Sequence, residues 1–369
     1  MAEWSVWIIL LVFIPVGVLL TVIPYLTRKI ESFGVTIPEE AQQHPEIVAI
    51  RRQYVWINAV LGAAATLSAL WFIRGAGDEE TWAMLYVGHL LGYIFFSFAI
   101  YLKQHFTVKQ LKSEQKWSQH AARHVIVDTK FRQSKLTVSN GWFLLHALII
   151  AATLATGIIG YGSFPEHLPM KYGFDGEVTR SVDKSYPAVL WPVALQTFLL
   201  ALFIFLNYVI GRSKQLVEPS DPEGSLRRNA VFRRRWSAFL TVLGFLTIGL
   251  IHFTQLSMLF EWSASVVLTV PMIFAGIVVV GSIALSVVTG QGGSRIRLPF
   301  ANPNPAASIA DQDQYWKLGI VYFNPGDPAL FVEKRFGVGW TINMARPLAW
   351  IILLAIIAVP VVIAVAFNI

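Results

Sequence analysis

The chain has 369 residues and a net charge of +7, yet only 14% of its residues are charged and 55% are hydrophobic. Soluble domains carry about 25% charged residues, so this composition excludes an ordinary soluble globule and a disordered chain. The absence of cysteine excludes disulfides, thiol nucleophiles and thiolate metal sites. The composition is that of an integral membrane protein.

Eight apolar stretches predict transmembrane helices. A helix needs about 20 mostly apolar residues to cross the hydrocarbon core, and none of these stretches contains Asp, Glu, Lys or Arg. Their backbone groups find no water in lipid, so each stretch is expected to be helical. The first stretch lacks a cleavage site, and we expect it to stay in the mature protein. The eight stretches are 4–26, 54–73, 82–102, 142–162, 187–211, 237–260, 265–288 and 347–367.

Lys and Arg are concentrated in alternate loops. The loops at 27–53, 103–141, 212–236 and 289–346 hold 25 of the 29 basic residues. The positive-inside rule places these loops in the cytoplasm and both termini outside. The basic charge is therefore a topology signal, and no nucleic-acid partner is expected. The cluster at 227–235 is a second candidate feature, because its arginines could hold anionic lipid.

The cytoplasmic segment 289–346 carries a β signal. The β-branched and aromatic runs 319–323 and 330–340 flank an Asn-Pro-Gly-Asp-Pro turn at 324–328, which predicts a hairpin. We expect residues 315–346 to be ordered and docked against the inner face of the helices, because they include too many large apolar side chains to leave in water. The predicted fold class is an all-α integral membrane protein with eight transmembrane helices and a small cytoplasmic β-hairpin-like element.

The predicted extracellular loop 163–186 is the most distinctive stretch. Its prolines and glycines break any helix, and its aromatic residues alternate with charges. Such a loop is expected to fold back onto the mouth of the bundle. We select seven of its residues as candidate ligand-binding residues: Pro169, Lys171, Tyr172, Asp175, Gly176, Asp183 and Lys184.

The run Leu168-Pro169-Met170-Lys171-Tyr172, followed by Gly176 and by Asp183-Lys184-Ser185, resembles a known signature. It is similar to the Leu-Pro-x-His-Phe…Gly…Asp-Lys pattern of an uncharacterised bacterial membrane domain. That domain is shared with the Sdp immunity family, whose members protect cells from a secreted killing peptide. The family's His and Phe are Lys171 and Tyr172 here. The resemblance implies a location in the bacterial cell membrane and a protective role.

The tail 315–347 resembles a second uncharacterised domain that often follows the first. With its aromatic residues and its Asn-Pro-Gly-Asp-Pro turn, it extends the resemblance to residues 140–210 and 290–347. The predicted organisation has five parts: three helices with two basic loops (1–139), two helices around the signature loop (140–211), a basic loop with two helices (212–288), the cytoplasmic segment (289–346) and the eighth helix (347–369).

Two intramembrane histidines are candidate polar sites. His89 and His252 lie at similar predicted depths, whereas His146 begins its span on the cytoplasmic side. An ionisable residue inside a membrane suggests a functional path. The alternative is a packing contact, because a neutral histidine can bond a helix carbonyl or a hydroxyl.

The preferred function is binding of an extracellular or membrane-embedded amphiphile, a peptide or a lipid, in a protective or signalling role. A secondary transporter with a path past the histidines is the alternative. A membrane enzyme acting on lipid is less favoured, because the sequence contains no catalytic motif. The expected partners are membrane lipid and an amphiphilic peptide, and a homo-oligomer is left open. No catalytic residue, cofactor or metal site is predicted.

Overall fold

A computed structural model of the chain describes residues 3–117, 135–173, 177–218, 220–298 and 311–367. It contains eight helices that are long and apolar enough to cross a membrane, which confirms the predicted fold class. The strands of the described residues form only small two-stranded sheets. The helices are α1 (Glu3–Val22), α2 (Pro45–Arg74), α3 (Glu79–Glu114), α4 (Phe143–Ile159), α5 (Tyr186–Arg212), α6 (Pro222–Leu259), α7 (Ala264–Thr289) and α8 (Pro347–Phe367).

Two helices extend well beyond their predicted spans. Helix α3 has 36 residues and α6 has 38, whereas about 20 residues cross the hydrocarbon core. Both have a polar cap at the N-terminus. Asp78 accepts a hydrogen bond from the backbone N–H of Thr81 at 2.8 Å, and Asp221 accepts one from Gly224 at 3.0 Å. The extensions carry charged side chains, so they lie outside the apolar stretches from which the spans were predicted.

The helices form two groups of three. Helices α1, α2 and α3 pack together as a first bundle, and α4, α5 and α6 pack together as a second bundle. Helix α7 packs against α1 and α6, and α8 packs against α5. The outward surface of the bundles is strongly apolar, with side chains such as Trp71 (78% exposed) and Ile159 (86% exposed). Such a surface suits lipid contact.

Four loops meet at one end of the protein, which we call the basic end. They are the connections after α1, α3, α5 and α7, as far as the structure describes them, and together with the adjoining ends of the helices they account for most of the Lys and Arg residues. Backbone hydrogen bonds join the connection after α7 to those after α1 and α5: the N–H of Gln291 donates to the carbonyl of Leu26 at 2.7 Å, and that of Lys214 to the carbonyl of Phe331 at 2.8 Å. The opposite end is called the hairpin end, because the loop between α4 and α5 forms a hairpin there.

Among the described residues, eight short strands pair as four antiparallel hairpins. At the basic end β1 pairs with β2, β5 with β6, and β7 with β8. At the opposite, hairpin end β3 pairs with β4. The strands are β1 (Glu31–Ser32), β2 (Val35–Thr36), β3 (His167–Tyr172), β4 (Val178–Asp183), β5 (Trp316–Lys317), β6 (Val321–Tyr322), β7 (Phe331–Glu333) and β8 (Trp340–Ile342).

The strand pairing predicted for the segment after α7 is wrong. The runs 319–323 and 330–340 do not pair with each other, because each belongs to a separate hairpin. The chain reverses at Gly319 (φ +72°) and at Gly337 (φ +90°), where backbone conformations that favour glycine allow tight turns. The Asn-Pro-Gly-Asp-Pro turn connects the two hairpins. The described part from residue 315 to 346 is nevertheless docked on the helices, as predicted: Phe336 packs against a buried cluster formed by residues around β1–β2 and by α2 and α3.

The orientation of the protein in the membrane is open to a direct test. We expect Ser163→Cys, at the hairpin end, to react with an impermeant thiol reagent added to intact cells. Ser113→Cys, at the basic end, should react only in inside-out vesicles, because the basic loops are predicted to lie in the cytoplasm. Both serines are exposed, and the protein has no cysteine of its own. The opposite labelling pattern would contradict this orientation.

Candidate functional site

The hairpin β3–β4 is seated on the second bundle. Leu168 is fully buried and packs with Phe164, Val189 and Met258, so that apolar side chains of the hairpin and of α5 and α6 form one small core. Burial of a leucine side chain contributes about 1.5–3 kcal/mol. The loop therefore folds back onto the bundle, as the sequence predicted.

Lys184 fastens the base of this hairpin. Its Nζ donates to the carbonyl of Phe164 at 3.0 Å and to the carboxylate of Glu166 at 2.8 Å. The ammonium also lies 5.7 Å from the ring centroid of Tyr161, which stacks on Tyr186. The hydrogen bond from Lys184 lowers the pKa of Glu166 below its usual range. The ammonium group of Lys184, a predicted ligand-binding residue, thus makes contacts within the protein that hold the hairpin in place.

The other predicted ligand-binding residues differ in exposure. Lys171 is exposed, and Asp183 is exposed and 3.0 Å from the Nδ1 atom of His167. Pro169 and Tyr172 are half-buried, and burial raises the pKa of Tyr172. Asp175 and Gly176 lie outside the described residues. The structure therefore brings Pro169, Lys171, Tyr172, Asp183 and Lys184 onto one hairpin.

Strand β4 is exposed, and so are apolar side chains at the helix ends on either side of the hairpin. In β4 the residues from Val178 to Ser181 are all exposed, and Arg180 lies opposite Lys171 in the strand register. Large apolar side chains are exposed nearby at the helix ends, with Ile159 ending α4 and Tyr186 beginning α5. An exposed strand of mixed charge thus lies at the same end of the second bundle as apolar side chains that suit lipid tails.

The second bundle contains a seam of polar side chains. His252 and Gln196 each hydrogen-bond the hydroxyl of Thr153, both at 3.0 Å, and Gln196 also donates to the carbonyl of Ile248 at 2.9 Å. His146 bonds the carbonyl of Thr241 on α6 at 3.1 Å. Such bonds hold helices together within lipid.

The structure does not bring the two candidate histidines together. His89 lies in the first bundle, where its Nδ1 atom bonds the carbonyl of Leu85 at 2.7 Å and its ring packs near Phe72. His252 lies in the second bundle with Thr153. A transport path past both histidines stays a prediction.

The basic end contains a buried ionic cluster that the sequence did not reveal. Glu333 lies between Arg28 and Arg233, and the Nη2 atom of Arg233 is 2.8 Å from the carboxylate. Asn229 donates to the same carboxylate at 2.7 Å. The ionic side chains are only 1–3% exposed. Because Arg28 follows α1 and Arg233 belongs to α6, Glu333 links the first bundle to the second.

A second set of ion pairs holds the segment that follows residue 310. Asp313 accepts from Lys112 of α3 at 2.7 Å and pairs with Arg335. Burial alone would raise the pKa of Asp313, but the two cations outweigh it and lower that pKa to about 2. A further ion pair joins Lys214, in the loop after α5, to Asp327: the Nζ atom of Lys214 lies 2.6 Å from the carboxylate. These pairs fix the hairpins to both bundles.

The prediction that the 227–235 cluster holds lipid fails for two of its arginines. Arg228 pairs with Glu218 and Asp221, both at 2.7 Å, and Arg233 pairs with Glu333. Sequence proximity to a span suggested the lipid interface, whereas the acidic partners come from the turn before α6 and from the segment after α7. Within the described part of the chain, no group of three or more His, Asp or Glu side chains converges as metal ligands would.

Two family models match segments of the chain. One, described as a domain of unknown function (DUF1648), matches residues 148–196, which span most of α4, the hairpin and the start of α5. The other, described as a family of unknown function (DUF5808), matches residues 325–350. Both agree with the expectation of two uncharacterised domains. The searches of curated proteins and of solved structures found no match. The link to the peptide-toxin immunity family stays a prediction.

Proposed function

We propose that the protein binds an amphiphile at the hairpin end, in a protective or signalling role in the bacterial cell membrane. The observation that carries this proposal is the placement of β4: an exposed strand that carries both Arg180 and Asp183, on a hairpin anchored at the end of the second bundle where large apolar side chains of α4 and α5 are also exposed. An amphiphile has a polar part for the first surface and an apolar part for the second. The hairpin is taken to lie outside, as the charge distribution predicts.

The anchored base of the hairpin supports a binding role. It is held against the bundle by the buried Leu168 and by the hydrogen bonds of Lys184. A surface that is ordered before binding loses less conformational entropy when the ligand arrives. The matched domain of unknown function covers this same unit of helix, hairpin and helix.

Two neighbouring cations, on a hairpin that also carries exposed acidic residues, favour an anionic group as one polar part of the ligand. Lys171 and Arg180 face each other across the hairpin in register, and both are exposed. A basic residue near a membrane surface contributes about 1 kcal/mol to the attraction of anionic lipid. Lipid and peptide amphiphiles that carry an acidic group share this chemistry.

Photo-labelling of the full-length protein in nanodiscs tests the proposal. We expect a photoactivatable phosphatidylglycerol, or an acidic amphipathic peptide carrying the same photoreactive group, to label the region 159–186 preferentially. The double substitution of Lys171→Gln and Arg180→Gln should weaken this labelling about tenfold or more, because two contacts of about 1 kcal/mol are lost.

The matched control is Lys109→Gln, which removes an exposed cation at the basic end. It should leave labelling of the hairpin unchanged. Comparison of the two probes shows whether the ligand class is lipid or peptide. Labelling spread evenly over the lipid-facing helices, or insensitive to the double substitution, would contradict the proposal.

A further inference from the structure

A small cavity lies beside the ionic cluster at the basic end. Its volume is about 40 Å³, and it is bordered by Glu31, Arg28 and Glu333, by Gln215 from the loop after α5, and by Arg335. A water molecule needs roughly 10–15 Å³ of such space, so the cavity has room for a few waters and not for a lipid or a peptide.

Two polar atoms at this cavity have no protein partner among the described residues. The Oε2 atom of Glu31 and the Nε2 atom of Gln215 are both buried without a hydrogen bond. The other oxygen of Glu31 is 3.7 Å from the Nε atom of Arg335, a long contact for a side chain that is only 4% exposed. An ionised carboxylate that is buried with so few donors is costly, and a bound proton or water lowers that cost.

We propose that Glu31 is a proton-binding site, reached through the water-sized cavity from the basic end, and that its ionisation loosens the junction between the two bundles. In the protonated form its second oxygen becomes a donor to water in the cavity. In the ionised form Glu31 competes with Asp313 for Arg335. Arg335 pairs with Asp313 and also donates to the carbonyl of Gly34 at 3.3 Å, so its displacement would release the C-terminal hairpins from β1–β2.

Some of the surroundings of Glu31 raise its pKa and others lower it. Arg28 of its own loop and Arg335 of the C-terminal segment favour the ionised form. Burial, Asp313 and Glu218 of the loop after α5 favour the protonated form. Burial is the largest effect and raises the pKa of Glu31 to about 7. Glu31 therefore changes its charge near neutral pH.

The direction of the pH effect follows from this shift. The folded protein binds the proton of Glu31 more tightly than the unfolded chain does, because the pKa rises from its usual 4.5 on folding. The resulting stability is complete below about pH 4.5 and is lost as the pH rises through about 7. Alkaline conditions at the basic end should therefore loosen the junction.

The test compares the full-length wild type, Glu31→Gln and the control Glu40→Gln in nanodiscs at about pH 5.5 and about pH 8, on either side of the shifted pKa. Glu40 is an exposed carboxylate in the same loop. We expect the melting temperature of the wild type and of Glu40→Gln to fall by roughly 5 °C more than that of Glu31→Gln over this interval. Equal pH dependence in all three proteins would overturn the proposal.

Two further measurements address the junction and the proton directly. Spin labels at Lys109→Cys on α3 and Arg227→Cys on α6, two exposed positions, report the separation of the bundles. Their distance distribution should broaden on alkalinisation in the wild type and stay constant with Glu31→Gln. Infrared spectroscopy of the wild type should show a protonated-carboxyl band that disappears as the pH rises through about 7. A wild type without such a band overturns the proposal even if Glu31→Gln fails to fold.

Discussion

Replacement of Glu333 by Gln is expected to lower the free energy of unfolding by about 3–5 kcal/mol. Glu333 is the shared carboxylate between Arg28 and Arg233, and these side chains are almost completely buried. Removing its charge leaves two guanidinium groups in a desolvated site without their anion. Leaving a buried charge without its partner costs far more than losing a surface ion pair.

The matched control is Glu223→Gln, which removes an exposed carboxylate 3.7 Å from Arg227 on the same helix α6. An exposed pair of this kind contributes about 0–1 kcal/mol. Both variants can be unfolded by titration with a denaturing detergent, with tryptophan fluorescence as the signal. Equal stability of the two variants would show that the buried cluster contributes no more than a surface pair.

A double-mutant cycle measures the energetic coupling between Arg28, which follows the first helix of the first bundle, and Glu333. In the Glu333→Gln background, Arg28→Gln removes a cation that no longer has its anion. We therefore expect Arg28→Gln to cost less there than in the wild type, with a coupling energy in the range of about 0.5–3 kcal/mol that is typical of contacting residues. Strict additivity would show that Arg28 and Glu333 act independently, and that the first bundle is not linked through this pair.

The transmembrane helices were predictable because lipid imposes a strict rule. A chain in hydrocarbon must satisfy every backbone group within a helix, so an apolar run of sufficient length is decisive. The same rule explains the errors at the helix ends. Helix α3 continues to Glu114 and α6 begins at Pro222, beyond the apolar spans, where charged residues are compatible with a helix and the apolar pattern ends.

The ionic cluster was not predictable, because its members are far apart in the sequence. Arg233 precedes an apolar span, and this position is typical of an arginine at the lipid headgroups. Its partner Glu333 lies 100 residues further along the chain. No local pattern distinguishes a buried arginine from an interfacial one. Similarly, turn residues show where the chain reverses but not which strands pair, so the hairpins after α7 were paired wrongly.

A repeated tripeptide was visible in the sequence, but its meaning was not. Residues 33–35 and 336–338 both read Phe-Gly-Val. In the structure the two phenylalanine rings stack with their centroids 5.8 Å apart, within a buried cluster that also contains Tyr54 and Tyr101. Both glycines have positive φ angles, +76° at Gly34 and +90° at Gly337. The two turns thus meet at the junction of the first bundle with the C-terminal hairpins.

Gly34 and Gly337 allow the energetic cost of backbone strain to be distinguished from the cost of steric overlap. An alanine at either position pays about 1–2 kcal/mol for the left-handed conformation. At Gly34 the new Cβ would also lie 2.5 Å from the carbonyl oxygen of Gly319 and 2.8 Å from the hydroxyl of Tyr101. At Gly337 the nearest atom is the Cδ1 of Ile23 at 3.2 Å, the end of a flexible side chain that can yield.

We expect Gly34→Ala to lower the free energy of unfolding by about 2–5 kcal/mol, because overpacking adds about 1–3 kcal/mol to the strain. Gly337→Ala should cost only the strain, about 1–2 kcal/mol. Detergent titration of both variants, followed by tryptophan fluorescence, gives the two values under identical conditions. Because the backbones of Gly34 and Gly319 touch, Gly34→Ala should also expose the C-terminal hairpins to protease, whereas Gly337→Ala should not. Equal losses in the two variants would show that the close approach of β1–β2 to the C-terminal segment does not hold the junction together.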